Sequence, residues 1–427
     1  MNNFKKFGFS LADILLPGKD TNLSKWSAVA CDQYTSEPEY WQRAYEFSSG
    51  SPSALDIILP EAFLDEGRQD EQTEKINSNM RRYLYEDLFD LYRSSFVYVE
   101  RTLRDGRIRR GLVGAVDLER YEYKPGNSAL IRATEGTVAE RLPSRSKIRR
   151  NAPIETPHIM LLADDPLKTV IEPLSDKTDS MYKLYDFDLM ENSGHLKGWL
   201  VTKEDTNTIF DALDVLCDID TQKKMYGDSV TSTMLFAVGD GNHSLAAAKQ
   251  CWENIRENLP EDERENHPAR YALCELVNLH DSSLEFEAIH RVLFDCEPEK
   301  VLAAIKVYFP GAQEGRGDGQ QFSFVTSAGE TVITIPSPPS QLTVGSVQAF
   351  IDDYISAKGG KVDYIHGADV VRNLCSVETA CGFILPAMSK SELFPAVIFD
   401  GVLPRKTFSM GEACDKRFYL ECRRLVK

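Results

Sequence analysis

A chain of 427 residues exceeds one ordinary domain and predicts two or three domains, or one enlarged α/β unit. With 42% hydrophobic and 27% charged residues it can bury a sizeable core, and its formal charge of −17 argues against nonspecific nucleic-acid binding. Nine scattered cysteines without a C-x-x-C pair argue against a zinc ribbon or a disulfide framework and fit reduced thiols.

In chain order, the N-terminal segment MNNFKKFGFSLADILLPGKD has only a broken apolar stretch and no small-residue cleavage site. It does not read as a signal peptide, and no run reaches the roughly 18–20 apolar residues that span a bilayer. The expectation is a soluble cytoplasmic protein. Residues 25–34, KWSAVACDQY, predict a buried strand, a helix begins beyond Pro38, and residues 71–95 have the length and polarity of one helix. Two alternating runs then flank Asp105-Gly106, which predicts a hairpin closed by a type I′ turn.

Arg141, Arg145, Lys147, Arg149 and Arg150 form a basic run inside an acidic chain, preceded by Glu135 and Thr137. Beyond it, HIMLLADD (158–165), YKLYDFDL and SGHLKGWLVT predict strands. Residues 206–219 predict an amphipathic helix, followed by the strand STMLFAVGD, the helix SLAAAKQCWENIRENL and the apolar segment ARYALCELVNLHD. QFSFVTSAGETVITI predicts a small β segment, and VGSVQAFIDDYISAKGG a helix closed by paired glycines. Hairpins early and alternating strands and helices in the middle predict an α+β or mixed α/β fold. The expected division is an N-terminal α+β domain over 1–155, a central α/β core over 156–300, and a C-terminal α+β segment over 301–427.

Five polar clusters are candidates for chemistry. In LFAVGDGNHSLAAAK (235–249), an apolar strand passes through Gly239, Asp240, Gly241, Asn242 and His243 into an alanine-rich helix starting near Ser244. A helix start gathers backbone N–H groups and the positive end of the dipole, which favours an anion such as phosphate. A plain strand-to-helix turn, with Asp or Asn satisfying backbone donors, would look the same locally. The stretch matches neither G-x-x-x-x-G-K-[ST] nor G-x-G-x-x-G. The second cluster is His290-Arg291, near a strand end or helix start, where Arg291 offers a forked clamp for phosphate or carboxylate or is a surface arginine beside a packed histidine. The third is His366-Gly367 in YIHGADVV, the fourth Arg405-Lys406-Thr407 in a Pro-marked loop, and the fifth Glu135 with the basic run. A metal site built from Asp240, His243 and a distant histidine is open, but the spacing does not select it.

WSAVACDQYTSEPEYW, RATEGTVAERLPSRSKIRRNAPIETPHIMLL, VGDGNHSLAAAK, LEFEAIHRVL, YIHG and GFILPAMSKSELFPAVIFDGVLPRKTFSMGEACDKRFYLE together resemble the "domain of unknown function 1015" family along nearly the whole chain. The family's D-G-x-H motif falls on Asp240–His243, with Ser244 where arginine is usual. Ile289 stands where the family has threonine before His290-Arg291. Gly241, His243 and Ala247 are also similar to the G-x-[HR]-R-x-x-A signature of the ParB/sulfiredoxin-like superfamily, which includes free-serine kinases.

The resemblance implies a ParB/sulfiredoxin-like strand–loop–helix core with added hairpin and helical elements. It also implies a nucleotide-dependent phosphotransferase or phosphohydrolase acting on serine, phosphoserine or a similar small metabolite. In that reading Gly239, Gly241, Asn242 and Ser244 cradle phosphate with His290, Arg291, His366, Gly367, Arg405, Lys406 and Thr407. Asp240, His243 and Glu135 are catalytic, ATP or ADP is the nucleotide, and Mg²⁺ is held through Asp240. The five clusters are taken to share one site. The alternatives are a nucleotide-binding switch without rapid turnover and a metal-dependent hydrolase using Asp240, His243, His290 and His366. The expected partners are a small-molecule substrate and a second copy in a homodimer, with no nucleic acid and no membrane.

Overall fold

The computed structural model describes residues 3–64, 66–136 and 142–426. The chain divides into two compact units: residues 1–133, 137–284 and 412–427 form the first, and residues 134–136 and 285–411 the second. The fold is mixed α/β, as expected.

The first unit is built on a ten-stranded sheet. In chain order its strands are β1 (Phe9–Ser10), β2 (Val97–Thr102), β3 (Ile108–Asp117), β4 (Tyr121–Glu122) and β5 (Ile131–Ala133), then β6 (Met160–Ala163), β7 (Tyr182–Asp188), β8 (His195–Leu200), β9 (Phe236–Asp240) and β10 (Tyr271–Asn278). They lie in the order β7-β8-β2-β3-β10-β6-β9-β5-β4, with β1 beside β3. Strands from residues 1–155 and from 156–300 are therefore hydrogen-bonded neighbours in one sheet. The expected boundary at 155 is replaced by a single layer, because β10 inserts between β3 and β6. The unit's helices include α1 (Pro38–Ser48), α2 (Gln69–Tyr85), α3 (Leu142–Arg150), α4 (Lys203–Cys217) and α5 (Asn242–Glu257).

Three local expectations change. Residues 25–34 are not one strand: Asn22 caps a helical turn over Leu23–Trp26, and only Ala28–Val29 pairs, with Phe418–Tyr419. The helix expected over 71–95 stops at Tyr85, where Asp87 takes a left-handed φ of 54°. Phe89–Ser95 then forms a strand against Ala12–Pro17, so long-range pairing overrides the local polarity. The hairpin joining β2 and β3 is present, but of Asp105 and Gly106 only the glycine has positive φ. Gly106 N–H donates to the Leu103 carbonyl at 3.0 Å, which fits a type I turn followed by a left-handed glycine.

Buried ion pairs underpin this sheet. Arg417 reaches Glu275 on β10, at 2.5 Å, and Glu421 at 2.7 Å. The Tyr185 hydroxyl on β7 donates to Glu421 at 2.6 Å. Glu155 accepts from Arg149, from Arg423 at 2.8 Å and from the Leu273 N–H at 2.9 Å. Arg149, counted in the basic run, is thus a structural cation. Thr137 and Arg141 lie outside the described residues.

The second unit carries a seven-stranded sheet. Its strands are β11 (Phe286–Phe294), β12 (Gln313–Glu314), β13 (Gln320–Thr326), β14 (Gly329–Ile335), β15 (Lys361–His366), β16 (Ala380–Ile384) and β17 (Phe408–Met410), in the order β12-β14-β13-β16-β11-β15 with β17 beside one end of β11. Helices α6 (Pro298–Tyr308), α7 (Thr343–Lys358) and α8 (Ala368–Leu374) accompany it, and α7 ends at left-handed Gly359, as the paired glycines predict.

Candidate functional site

The GDGNH stretch makes the expected strand-to-helix corner. β9 runs antiparallel to β6, with Asp240 opposite Met160, and α5 begins two residues later. Gly241 between them has φ 78° and lies against the neighbouring backbone. A Cβ there would stand 3.0 Å from Ile159 Cα and 3.1 Å from Ile159 Cγ1, so conformation and space both select glycine. Gly239 is a half-buried residue of β9 itself. Asp240 closes the corner: one carboxylate oxygen accepts the Gly241 N–H at 2.9 Å, and the other faces Lys416 Nζ at 3.4 Å. Asn242 is buried, and its side-chain amide donates to the Val238 carbonyl at 3.2 Å, tying the helix start to the strand.

His243 and Ser244 occupy the first helical turn and are half-buried. Ala246, Ala247 and Ala248 pack inward behind them. Small side chains let α5 lie close, while its first-turn N–H groups and dipole give the corner a positive pole.

The remaining predicted residues belong to the second unit, so the five clusters fall into two groups. On β11 and β15, Arg291 pairs in register with Tyr364 and Ile289 with His366. Arg291 is fully buried, which removes its reading as a surface arginine. Its guanidinium donates to the Gln348 amide oxygen of α7 at 3.0 Å, to the Ile289 carbonyl, and to the Arg405 carbonyl at 3.2 Å. It also stands 5.1 Å from the Tyr364 ring centroid. None of these partners carries a negative charge, and burial lowers its pKa to about 10.

Arg405 and Lys406, both exposed, lie at 5.1 Å and 5.8 Å from the same ring. Arg405 Nε donates to the Tyr364 hydroxyl at 2.8 Å. Three cations from two separated stretches therefore meet on one tyrosine, within cation–π range. Glu135 joins them: it bridges to Leu403, and its carboxylate accepts the Lys406 backbone N–H at 3.2 Å. Thr407 has a structural task, since its buried hydroxyl donates to the Pro404 carbonyl at 2.6 Å and closes the loop.

His290 does not act with Arg291. Neighbouring strand residues point to opposite faces, and Val292, on the His290 side, packs with Val371 and Cys375 at α8. His290 is buried, its Nδ1 accepts the Leu385 N–H at 3.2 Å, and desolvation followed by Arg291 lowers its pKa, favouring the neutral ring. His366 is exposed on the Arg291 face, one register pair along, and Gly367 takes φ 83° ahead of α8.

Sequence reasoning missed Tyr364, Gln348 and Lys416. Tyr364 lies inside YIHG, two positions before His366, so strand alternation applied there would have placed both on one face. Gln348 and Lys416 carry no local signal. Among the described residues no three His, Cys, Asp or Glu side chains gather in a way that could hold a metal ion.

A family model described as "Protein of unknown function (DUF1015)" matches residues 15–354, most of the chain. The chain belongs to the DUF1015 family. No curated protein matches it in sequence. Among solved structures, this DUF1015 chain is similar to SbnI with C-terminal truncation from Staphylococcus aureus, at 8% identity and TM-score 0.37, covering 70% of this chain and 82% of that one. It is similar to a free serine kinase in complex with AMP at 11% identity and TM-score 0.37, covering 73% and 91%. It is likewise similar to a conserved hypothetical protein from Pyrococcus furiosus at 11% identity and TM-score 0.35, covering 73% and 94%.

Proposed function

We propose that this protein is a nucleotide-dependent phosphotransferase or phosphohydrolase acting on a small polar metabolite of the serine or phosphoserine type, with ATP or ADP as the nucleotide. The observation that carries the reading is the cation cluster on Tyr364. Arg291, Arg405 and Lys406 bring three positive charges together beside two carboxylates, Glu135 at the Lys406 backbone and Asp352 behind Gln348, in a chain whose overall charge is −17. Such a surplus suits the oxygens of a phosphoryl group, whose charge must be neutralised during transfer.

The roles differ by exposure. Arg405 and Lys406 are the groups that touch phosphate; Arg405 spends Nε on Tyr364, which leaves its two Nη groups for a forked contact. Arg291 is a positioning residue: it holds the Arg405 carbonyl and raises the local potential from beneath. Glu135, beside the cations, is the proton acceptor for an attacking hydroxyl. At the other cluster, the positive end of the α5 dipole favours an anion, with His243 and Ser244 on the first turn and the Gly241 N–H held by Asp240. Asp240, facing Lys416, keeps that corner in shape.

A protein-built cage does not fit Mg²⁺ here, because among the described residues no three-ligand group exists and Asp240 already faces Lys416. Magnesium suits the reading as an ion carried largely by substrate phosphates with one or two carboxylates.

The test is phosphorus NMR of the protein with ATP or ADP, Mg²⁺, and serine or phosphoserine. Transfer or hydrolysis that is lost in Arg405→Ala and Glu135→Gln supports the reading. Nucleotide binding without turnover would favour the switch alternative, and no interaction with either nucleotide at millimolar concentration would overturn both.

A further inference from the structure

Beside the GDGNH corner the first unit contains a cavity of about 170 Å³. Its walls are mostly apolar, with Ile57, Leu59, Met80 and Ile154 among them, and Ser244 and Ala247 of α5 contribute another side. His158, just before β6, also lines it and is only 3% exposed. The imidazole Nδ1 lies 2.6 Å from the Tyr419 hydroxyl, while Nε2 is buried with no hydrogen-bond partner among the described residues. The nearest carboxylate to Nε2 is Asp32, at 3.6 Å, beyond hydrogen-bond range.

The two contacts assign the tautomer. The Tyr419 hydroxyl already accepts the Cys31 N–H at 3.2 Å, so its own O–H is the one left for Nδ1, and the Asp32 carboxylate favours a hydrogen on Nε2. An N–H buried without an acceptor costs free energy, which a ligand oxygen would recover. The ligand's charge follows from the lining. Glu61 is on the wall, Asp32 faces the imidazole, and Arg149, the cation there, is bound to Glu155. A carboxylate would meet negative charge, whereas a neutral carbonyl would not.

We propose that this cavity is a binding site for a compact, neutral, apolar molecule bearing one carbonyl-type acceptor, which takes the His158 Nε2–H while its hydrocarbon body fills the space between Ile57, Met80, Ile154 and Ala247. The cavity lies wholly within the first unit and needs no phosphoryl chemistry, so binding here and phosphate turnover succeed or fail separately.

The probe is 4-methylpentanamide, with 4-methylpentanoate as its charged counterpart, observed by saturation-transfer NMR on the full chain. The amide should bind the native protein at millimolar concentration and the carboxylate at least tenfold more weakly. His158→Phe, which keeps the bulk and removes the donor, should weaken the amide about tenfold, or ~1.4 kcal/mol. His158→Gln, which keeps an N–H, should restore most of that loss. Leu59→Trp, at a half-buried position able to accept a larger ring, should block the cavity and abolish the signal. Absence of amide binding, equal binding of amide and carboxylate, or undiminished binding in a folded Leu59→Trp protein would overturn the assignment.

Discussion

Arg417 and Arg291 are both buried arginines, and they are held in opposite ways. Arg417 lies between two carboxylates, Glu275 and Glu421; burial pulls its pKa down, but those two charges outweigh burial and leave it raised. Arg291 has an amide oxygen, two carbonyls and a ring, and burial lowers its pKa to about 10. A balanced buried pair holds a fold in register, whereas an unbalanced buried cation is a standing cost unless a second charge arrives. Two exposed cations sit beside the unbalanced one and none of its direct partners is anionic, which is the basis for proposing a phosphate oxygen there.

The comparison breaks most visibly on the balanced side. Glu155→Ala leaves Arg149 and Arg423 without their shared carboxylate and should cost about 3–5 kcal/mol in urea unfolding. The same residue gives a pH signature. Burial raises the Glu155 pKa, but Arg149 and Arg423 outweigh it, so the folded value lies below the ordinary glutamate value of about 4.5. Its contribution is therefore present above about pH 4.5 and lost as pH falls through the lower folded value. Melting temperature measured across the acid range should fall more steeply in the native protein than in Glu155→Gln.

On the unbalanced side the loss should appear in binding. Arg405→Ala removes a charge-assisted contact of about 1.5–3 kcal/mol, or roughly ten- to a hundredfold in nucleotide affinity by calorimetry. Its unfolding free energy should stay within about 0.5 kcal/mol of native, because the side chain is exposed. Gly241→Ala should destabilise by about 1–3 kcal/mol, since alanine must take a left-handed φ and press on Ile159. The sharpest contrast lies at Arg291. Arg291→Met should cost about 1–3 kcal/mol of stability, less than Glu155→Ala, because the Gln348 amide oxygen and the Ile289 and Arg405 carbonyls lose a donor but no carboxylate is left bare beside it. Affinity should still drop about tenfold as the Arg405 loop loses its anchor, an effect of ~1.4 kcal/mol. If Arg291→Met unfolds the second unit, the guanidinium is structural and the two arginines are alike.

Much of the corner at residues 236–257 was legible in the sequence, because its signals are local. An apolar run, two glycines and an alanine-rich stretch predict strand, turn and helix, and Gly241 does need the conformation and space of glycine. The arginines and lysine at 291, 405 and 406 could be singled out as candidate cations from residue type. Their meeting on Tyr364 could not, because it depends on the register of β11 against β15 and on the Arg405 loop folding back. The same register separates His290 from Arg291, which adjacency in the chain had joined. The helix predicted through residue 95 failed for a related reason: pairing with Ala12–Pro17 is invisible to a local window.

By itself the sequence determined the mixed α/β class, the hairpin at Gly106, the glycine corner and membership of the DUF1015 family, since each rests on backbone preference or on short-range pattern. Only the tertiary structure decided which charges are balanced. Glu155 and Arg423 are separated by 268 positions and Glu275 and Arg417 by 142, while Arg291 meets Arg405 and Tyr364 without a direct carboxylate partner. Electrostatic energy depends on distance and burial in space, and neither is written in the order of the residues.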